Sequence, residues 1–354
     1  MSEKVLCAMS GGVDSSVAAL LLKKEGFDVV GVTMCLGVKK GDSQRPTCCG
    51  PEAITDARRV CEKLNIPHYV LDFSKEMQEI VIKNMVDSYS AGKTPNPCVR
   101  CNESLKFYKL FKYSRALGFD YLATGHYAKI KNDKGKYYLQ QAKDKNKDQS
   151  YFLYVIKEKY LPFLLFPLGD LTKHQVRSIA KKEGLPVFDK PQSQDLCFIS
   201  FKNNKRELFL GKKGLERGNV VDIKGNILSE HGGIANYTIG QRIGLGIATG
   251  KPLYVINIDA NKNQIVVGEK KDTFANGLKA LIENWIIEDY PDYLNVKIRH
   301  RHQMTRSKVK FIDSSYQKIE VLFDEPQSAI APGQSVVFYK NDTICGGGII
   351  EESL

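Results

Sequence analysis

Apolar positions follow two different rhythms along this chain, and the change falls near residue 200. In the first half, short apolar runs alternate with stretches of helical period. Residues 4–9 read as a buried strand, and 14–25 as a helix with Val17, Leu20, Leu21 and Leu22 turned inward. Residues 27–34 form the next strand, and Gly26 before it suits a helix stop. The same pattern predicts helices over 51–64, 75–90 and 105–117, with strands over 68–72 and 121–124, the last running into Gly125 and His126. This βα alternation implies a parallel sheet with helices on both faces, and ligands on such sheets sit at the carboxyl ends of strands. From residue 219 the period is mostly two and turn residues recur at short intervals. The segment pairs 220–223 and 227–228, 253–258 and 264–267, and 308–312 and 318–323 each flank a polar turn, a spacing of barrels or sandwiches. The length suggests two such domains with a boundary near 271–276. The lysine-rich stretch 129–147 reads as an exposed hairpin.

Composition narrows the class of protein. With 354 residues the chain is too long for one core of usual size, and 42% hydrophobic with 26% charged residues is ordinary for a globular protein. No apolar run approaches the roughly 18 residues of a bilayer span, so no membrane partner is expected. The first residues lack the apolar centre of a signal peptide, which points to the cytoplasm. Lysine and arginine number 52 against 40 aspartates and glutamates, an excess of 12 that favours a polyanionic partner. Nine cysteines, an odd count without an export signal, argue against a disulfide framework and for metal or sulfur chemistry.

Two motifs carry that chemistry. The run Ser10-Gly11-Gly12-Val13-Asp14-Ser15-Ser16 lies directly between the first strand and the first helix. Two glycines let backbone approach phosphate, and the helix start offers N–H groups and positive dipole. Asp14 could hold Mg²⁺ or position the loop; the plain alternative for the whole run is a glycine turn with a serine cap. The spacing is neither a Walker loop nor a dinucleotide fingerprint. The second motif, Thr94-Pro95-Asn96-Pro97-Cys98-Val99-Arg100-Cys101-Asn102, is expected to be a proline-punctuated loop running into a helix, whose dipole would lower a thiol pKa. A zinc half-site completed by Cys48 and Cys49 is the plain reading here, although adjacent cysteines chelate a tetrahedral ion poorly. Cys197, in Ser193-Gln194-Asp195-Leu196-Cys197-Phe198-Ile199, would on its own pass for a buried core thiol. Gly240, Gly244, Gly246 and Gly250 mark turns, since no helix follows them.

The run SGGVDSS resembles the PP-loop of the ATP pyrophosphatase superfamily. Together with TPNPCVRCN, ATGHYA (123–128), KDQSYFL (147–153), SQDLCFI, GQRIGLGIA (240–248) and the terminal GGGII, it makes the whole chain similar to the tRNA-specific 2-thiouridylases. The resemblance implies an α/β fold: an N-terminal parallel-sheet PP-loop domain (1–203), a small β-rich central domain (204–273) and a C-terminal β-barrel (274–354). It implies that ATP, with Mg²⁺, adenylates the C2 oxygen of a wobble uracil, which sulfur then replaces. By the same likeness Cys101 matches the nucleophilic cysteine and Cys197 the one that carries a persulfide, so the two would finish as a disulfide and the loop holding Cys101 would move. Ala8, Met9, Ser10, Gly11, Gly12, Val13, Asp14 and Ser15, with Met34 and Gly125, would line the ATP pocket. Pro95, Asn96 and Pro97 would surround the target base. Lys147, Asp148 and Gln149, ahead of a helix expected over 150–158, would touch tRNA. On a strand expected over 297–302, Arg299 and Arg301 would share a face suited to phosphates, and His300 joins the tRNA-binding set. A protein donor would supply the sulfur.

Two alternatives compete. A PP-loop ligase would adenylate a substrate for attack by an amine and need no paired thiols. An RNA-binding protein with zinc on its cysteines would release no pyrophosphate. Within the thiolation reading, an iron–sulfur cluster held by Cys98, Cys101 and Cys197 is the alternative to a persulfide. His126 is open between a catalytic base and a hydrogen-bonded structural histidine.

Overall fold

The structure, a computed structural model, describes residues 2–37, 50–191, 214–247, 250–288 and 291–354. It divides into two units, one of residues 1–81, 98–204 and 342–344, the other of 82–97, 205–341 and 345–354. The first unit contains β1 (Lys4–Ala8), β2 (Asp28–Cys35), β3 (His68–Asp72), β4 (Tyr121–Thr124), β5 (Ala128–Asp133), β6 (Lys136–Gln141) and β7 (Leu164–Leu165). Five of these form a parallel sheet in the order β3-β2-β1-β4-β7. Ala8 lies opposite both Val32 and Thr124, so β1 and β4 end level at their carboxyl ends. Helices α1 (Val13–Lys24), α2 (Pro51–Leu64) and Lys173–Lys182 share one core with the sheet through Val17, Leu22, Ala57, Val60 and Val176. Cover of this kind is why β1 and β2 are apolar without alternation. Gly26, at φ 91°, ends α1 as its sequence position indicated, with the Phe27 N–H donating to the Leu22 carbonyl. β5 and β6 form the expected lysine-rich hairpin around Lys134 and Gly135, both at positive φ.

Three expectations need correction. The helix expected over 105–117 begins at Pro97 and continues to Ala116, so Cys98 and Cys101 are helical rather than on a loop. Proline at a helix start gives up an N–H that has no intrahelical partner anyway. Residues 77–82 and 101–110 are wound more widely than an α-helix, inside longer helical runs. No helix spans 150–158: short 3₁₀ turns cover Ser150–Phe152 and Glu158–Phe163. Tyr151, Leu153, Tyr154, Val155 and Ile156 are all buried, which leaves no polar face for an amphipathic helix. The strand expected over 297–302 stops early, since β13 (Tyr293–Lys297) ends where Lys297 and Ile298 are both buried in succession. That breaks the period of two, and the chain turns, with the His302 N–H on the Arg299 carbonyl. Arg299 and Arg301 are therefore not paired on a strand face.

In the second unit β8 (Gly218–Val221), β9 (Ile227–His231), β10 (Tyr254–Asp259) and β11 (Gln264–Gly268) form a mixed sheet in the order β10-β11-β8-β9. Val220, Val255, Ile265 and Val267 make its core. Strands β12 (Phe274–Trp285), β13, β14 (Thr305–Phe311), β15 (Lys318–Ser328), β16 (Ser335–Lys340) and β17 (Thr343–Ser353) close into a barrel through β12 and β17. Its interior holds Leu278, Val296, Val309, Val321 and Phe338. All three hairpins expected from alternation are present as β8–β9, β10–β11 and β14–β15. Among the described residues no helix is long and apolar enough to cross a membrane.

Candidate active site

The nucleotide-loop motif sits at the carboxyl edge of the parallel sheet. β1 ends at Ala8, Met9 is buried, and the chain turns through Ser10, Gly11 and Gly12 into α1. Gly11 has φ +66°, and a Cβ there would fall 2.2 Å from the Ala53 carbonyl oxygen of α2. No side chain caps α1 at Gly12. Its first N–H groups are thereby left for an anionic ligand, and the dipole favours one. The serine hydroxyls brace the turn: Ser15 Oγ accepts from the Ser10 N–H at 3.1 Å, and Ser16 Oγ donates to the Gly12 carbonyl at 2.8 Å. Gly125, just past β4, presses on the same turn, where a Cβ would lie 2.7 Å from the Ser15 nitrogen. Met34 is buried in β2, with Leu71 of β3 opposite it.

Three side chains missed in the sequence hold this loop from distant parts of the chain. Asp14 Oδ1 accepts from Tyr127 Oη at 2.8 Å and from Lys173 Nζ at 2.5 Å. Burial, and after it the Asp14 carboxylate, push the Tyr127 phenol up, so it stays protonated and donates. Burial lowers the Lys173 ammonium pKa against the pull of Asp14. Of the two roles open to Asp14, these partners serve positioning. Lys190 Nζ donates to the Gly11 carbonyl at 2.9 Å and to Asp56 Oδ2 at 2.6 Å, which ties the turn to α2. Tyr127 lay inside the ATGHYA motif, but nothing local marks Lys173 or Lys190.

Cys101 is buried, one turn into the helix that starts at Pro97. The next residue, Asn102, donates to the Phe152 carbonyl at 3.0 Å and accepts from Lys106 Nζ at 3.0 Å. Phe107 packs on the ring of His126, centroids 5.8 Å apart, and His126 adjoins Gly125. A continuous set of contacts thus runs from the helix of Cys101 to the glycine turn. His126 Nδ1 lies 2.7 Å from Thr124 Oγ1, and burial, followed by the Lys106 charge, holds its imidazole well below the ordinary histidine range. It is neutral at physiological pH. Cys98, three residues before Cys101, is half-buried. Cys197, Cys48 and Cys49 lie outside the described residues.

The remaining candidates are dispersed. Asp148 is only 2% exposed, and its carboxylate accepts from the Ala142 N–H at 2.8 Å and Ser150 Oγ at 2.7 Å. Gln149 exchanges two hydrogen bonds with the Tyr127 backbone. Both residues therefore brace the loop, with Lys147 half-buried beside them. In the second unit the Thr94 N–H donates to the Pro332 carbonyl and Gln334 Nε2 to that of Pro95, ahead of Asn96 and Pro97. Arg299 and His300 occupy the turn after β13, half-buried. Among the described residues no group of three or more His, Cys, Asp or Glu side chains could hold a metal ion.

An uncapped glycine-rich helix start at the level ends of β1 and β4 defines a nucleotide-loop α/β domain, and residues 3–201 match a family profile described as "tRNA methyl transferase HUP domain". Residues 208–269 match a "tRNA methyl transferase PRC-barrel domain" and 276–350 an "Aminomethyltransferase beta-barrel domain". The chain is 49% identical over 356 residues to tRNA-specific 2-thiouridylase MnmA 1 of Syntrophus aciditrophicus, covering 100% of this chain and 94% of that protein. Proteins named tRNA-specific 2-thiouridylase MnmA from Clostridioides difficile and Clostridium acetobutylicum are 46% and 45% identical, with 99% or more of both chains covered in each case. The chain belongs to the tRNA-specific 2-thiouridylase family.

Proposed function

We propose that this enzyme uses ATP to replace the C2 oxygen of the wobble uridine of tRNA with sulfur. The observation that carries the reading is end-to-end similarity to proteins named for that activity. An uncapped, glycine-lined loop and a thiol on an adjoining helix agree with it. The uracil O2 attacks the α-phosphorus of ATP, pyrophosphate leaves, and C2 carries AMP as a good leaving group. The α1 N–H groups stabilise phosphate charge. The terminal sulfur of a Cys197 persulfide bonds to C2 and AMP departs. Cys101 attacks the inner sulfur of Cys197, the S–S bond to the transferred sulfur breaks, and its electron pair stays with the thiocarbonyl. The Cys101–Cys197 disulfide then takes two electrons from an external dithiol, which leaves as its own disulfide. In the variant order, Cys101 attacks first and releases sulfide, which adds to C2.

Mg²⁺ suits this site as a partner of the nucleotide phosphates, because Asp14 is engaged by Lys173 and Tyr127. Cys98 and Cys101, three residues apart on one helix, would be the described part of a cluster site; iron and sulfide assay after anaerobic purification separates that use from the persulfide. A protein persulfide donor supplies the sulfur, and reopening a disulfide each turnover fits a reducing cytoplasm. Pro95, Asn96 and Pro97 surround the displaced base, and Lys147, Gln149, Arg299 and His300 contact tRNA, so affinity weakens with salt. The test is unmodified tRNA with ATP, Mg²⁺ and a sulfur source, followed by nucleoside mass spectrometry. Cys101→Ser and Cys197→Ser should each abolish 2-thiouridine; full activity in either refutes the relay. An amine-dependent ligase would be indifferent to both.

A further inference from the structure

A cleft of about 330 Å³ opens in the first unit at the carboxyl end of β3, away from the glycine turn. Phe73 and Glu76 line one side, and Tyr108, Lys109, Lys112 and Tyr113 the other. Tyr108 and Tyr113 are 44% and 52% exposed, on a helix whose Phe107, Leu110 and Phe111 are buried. The rings are held in place rather than loose. Tyr113 stands edge-on to Phe73 at 6.3 Å, and Lys112 Nζ sits 4.4 Å over the Tyr108 ring and 2.8 Å from its hydroxyl. The acidic groups are already occupied, Glu76 by Lys109 at 2.7 Å and Asp72 by the Ser74 N–H at 2.8 Å. Lys112 has no carboxylate partner among the described residues, and Lys159 also acts on Tyr108. The local balance of charge is thus cationic.

Position decides what this surface serves. β3 lies two strands from β1, about 10 Å, on the sheet edge that carries the nucleotide loop. Tyr108 follows Cys101 by seven residues on the same helix. We infer that the Tyr108–Tyr113 cleft is a stacking site for single-stranded RNA, taking nucleotides that flank the base under modification, with Lys112 against their phosphates. Tyrosine faces stack on any base, and lysine beside them adds the backbone contact that single-strand binders use. The inference rests on the reading that tRNA is the substrate.

Filter binding of unmodified tRNA to the full chain tests it, together with kcat and KM for tRNA. Tyr108→Ala and Tyr113→Ala should each weaken binding about tenfold and raise KM, while Tyr108→Phe and Tyr113→Phe retain affinity. Lys112→Ala should lower the slope of log affinity against log salt by about 0.7. Unchanged ATP affinity shows that the variants are folded. Wild-type tRNA affinity in a folded Tyr108→Ala, Tyr113→Ala double variant overturns the inference, and so does loss confined to sulfur uptake from a donor protein, which would make the cleft a protein dock. A wild-type chain that thiolates tRNA while the variants are unaffected sinks only the cleft; one that cannot thiolate tRNA at all sinks both readings.

Discussion

Replacing Gly125 by alanine tests whether the end of β4 sets the shape of the nucleotide loop. The backbone there needs no left-handed conformation, so the cost is one of space. The new Cβ would lie 2.7 Å from the Ser15 nitrogen and 2.9 Å from both Ser15 Cα and Asp14 C, all main-chain atoms that no rotamer change can move. Reaching an ordinary 3.4 Å contact requires the first turn of α1 to retreat by 3.4 − 2.7 = 0.7 Å. That turn cannot slide freely, because Val17, Ala18 and Ala19 behind it are fully buried. Overpacking of this kind costs about 1–3 kcal/mol of stability. A displacement approaching 1 Å in groups that position a reacting phosphate costs about 100-fold in rate. Isothermal titration with ATP and a pyrophosphate-release assay should therefore show weaker binding and a loss of about two orders of magnitude in kcat/KM. Gly118→Ala is the control: its φ is +77° but nothing lies within 4 Å, so it should cost about 1 kcal/mol and leave ATP binding alone. Wild-type ATP affinity and pyrophosphate release in Gly125→Ala would refute the reasoning.

Other expected outcomes follow from single contacts. Tyr127→Phe removes one of two donors on Asp14 and should cost about 1 kcal/mol in denaturant titrations, with a several-fold loss of ATP affinity. Asp148→Ala removes the carboxylate that accepts from the buried Ala142 N–H and the Ser150 hydroxyl and should cost about 3 kcal/mol by urea unfolding; an unchanged midpoint would contradict the bracing role. For His126 the folded pKa is depressed, so its neutral form stabilises fully above the unfolded pKa near 6.5 and that stability is lost as pH falls below it. His126→Asn should flatten the fall in melting temperature between about pH 7 and pH 5; an identical fall would show that His126 is not responsible. Burial pushes the Cys7 and Cys61 thiols up to about 12, so both should escape alkylation at pH 8 in the folded protein and react once it is unfolded, as peptide mass mapping would read.

The fold was largely visible in the chain because both of its rhythms are local. Apolar strands alternating with amphipathic helices specify the parallel sheet, and period-two runs around polar turns specify β8–β9, β10–β11 and β14–β15. Expectations failed where burial overrode period. Lys297 and Ile298 both turn inward, and six of the seven residues over 150–156 are buried, so neither segment keeps the element its residues favour. The helix of Cys101 starts eight residues before its apolar repeat becomes readable, because Pro97 opens it in advance of Leu105.

For the site, the division has one physical cause. The sequence alone determined the glycine turn, since two glycines between a strand and a helix already dictate a close-approach loop, and its resemblance to the 2-thiouridylases singled out Cys101 and Cys197 as the thiols to test. Only tertiary structure decided what grips that turn. Tyr127, Lys173 and Lys190 reach Asp14 and Gly11 across 113, 159 and 179 residues of chain. Gly125 matters because β4 is laid beside β1. Short-range conformational preference is written residue by residue, whereas contacts across such separations exist only once burial of the sheet has brought distant segments together.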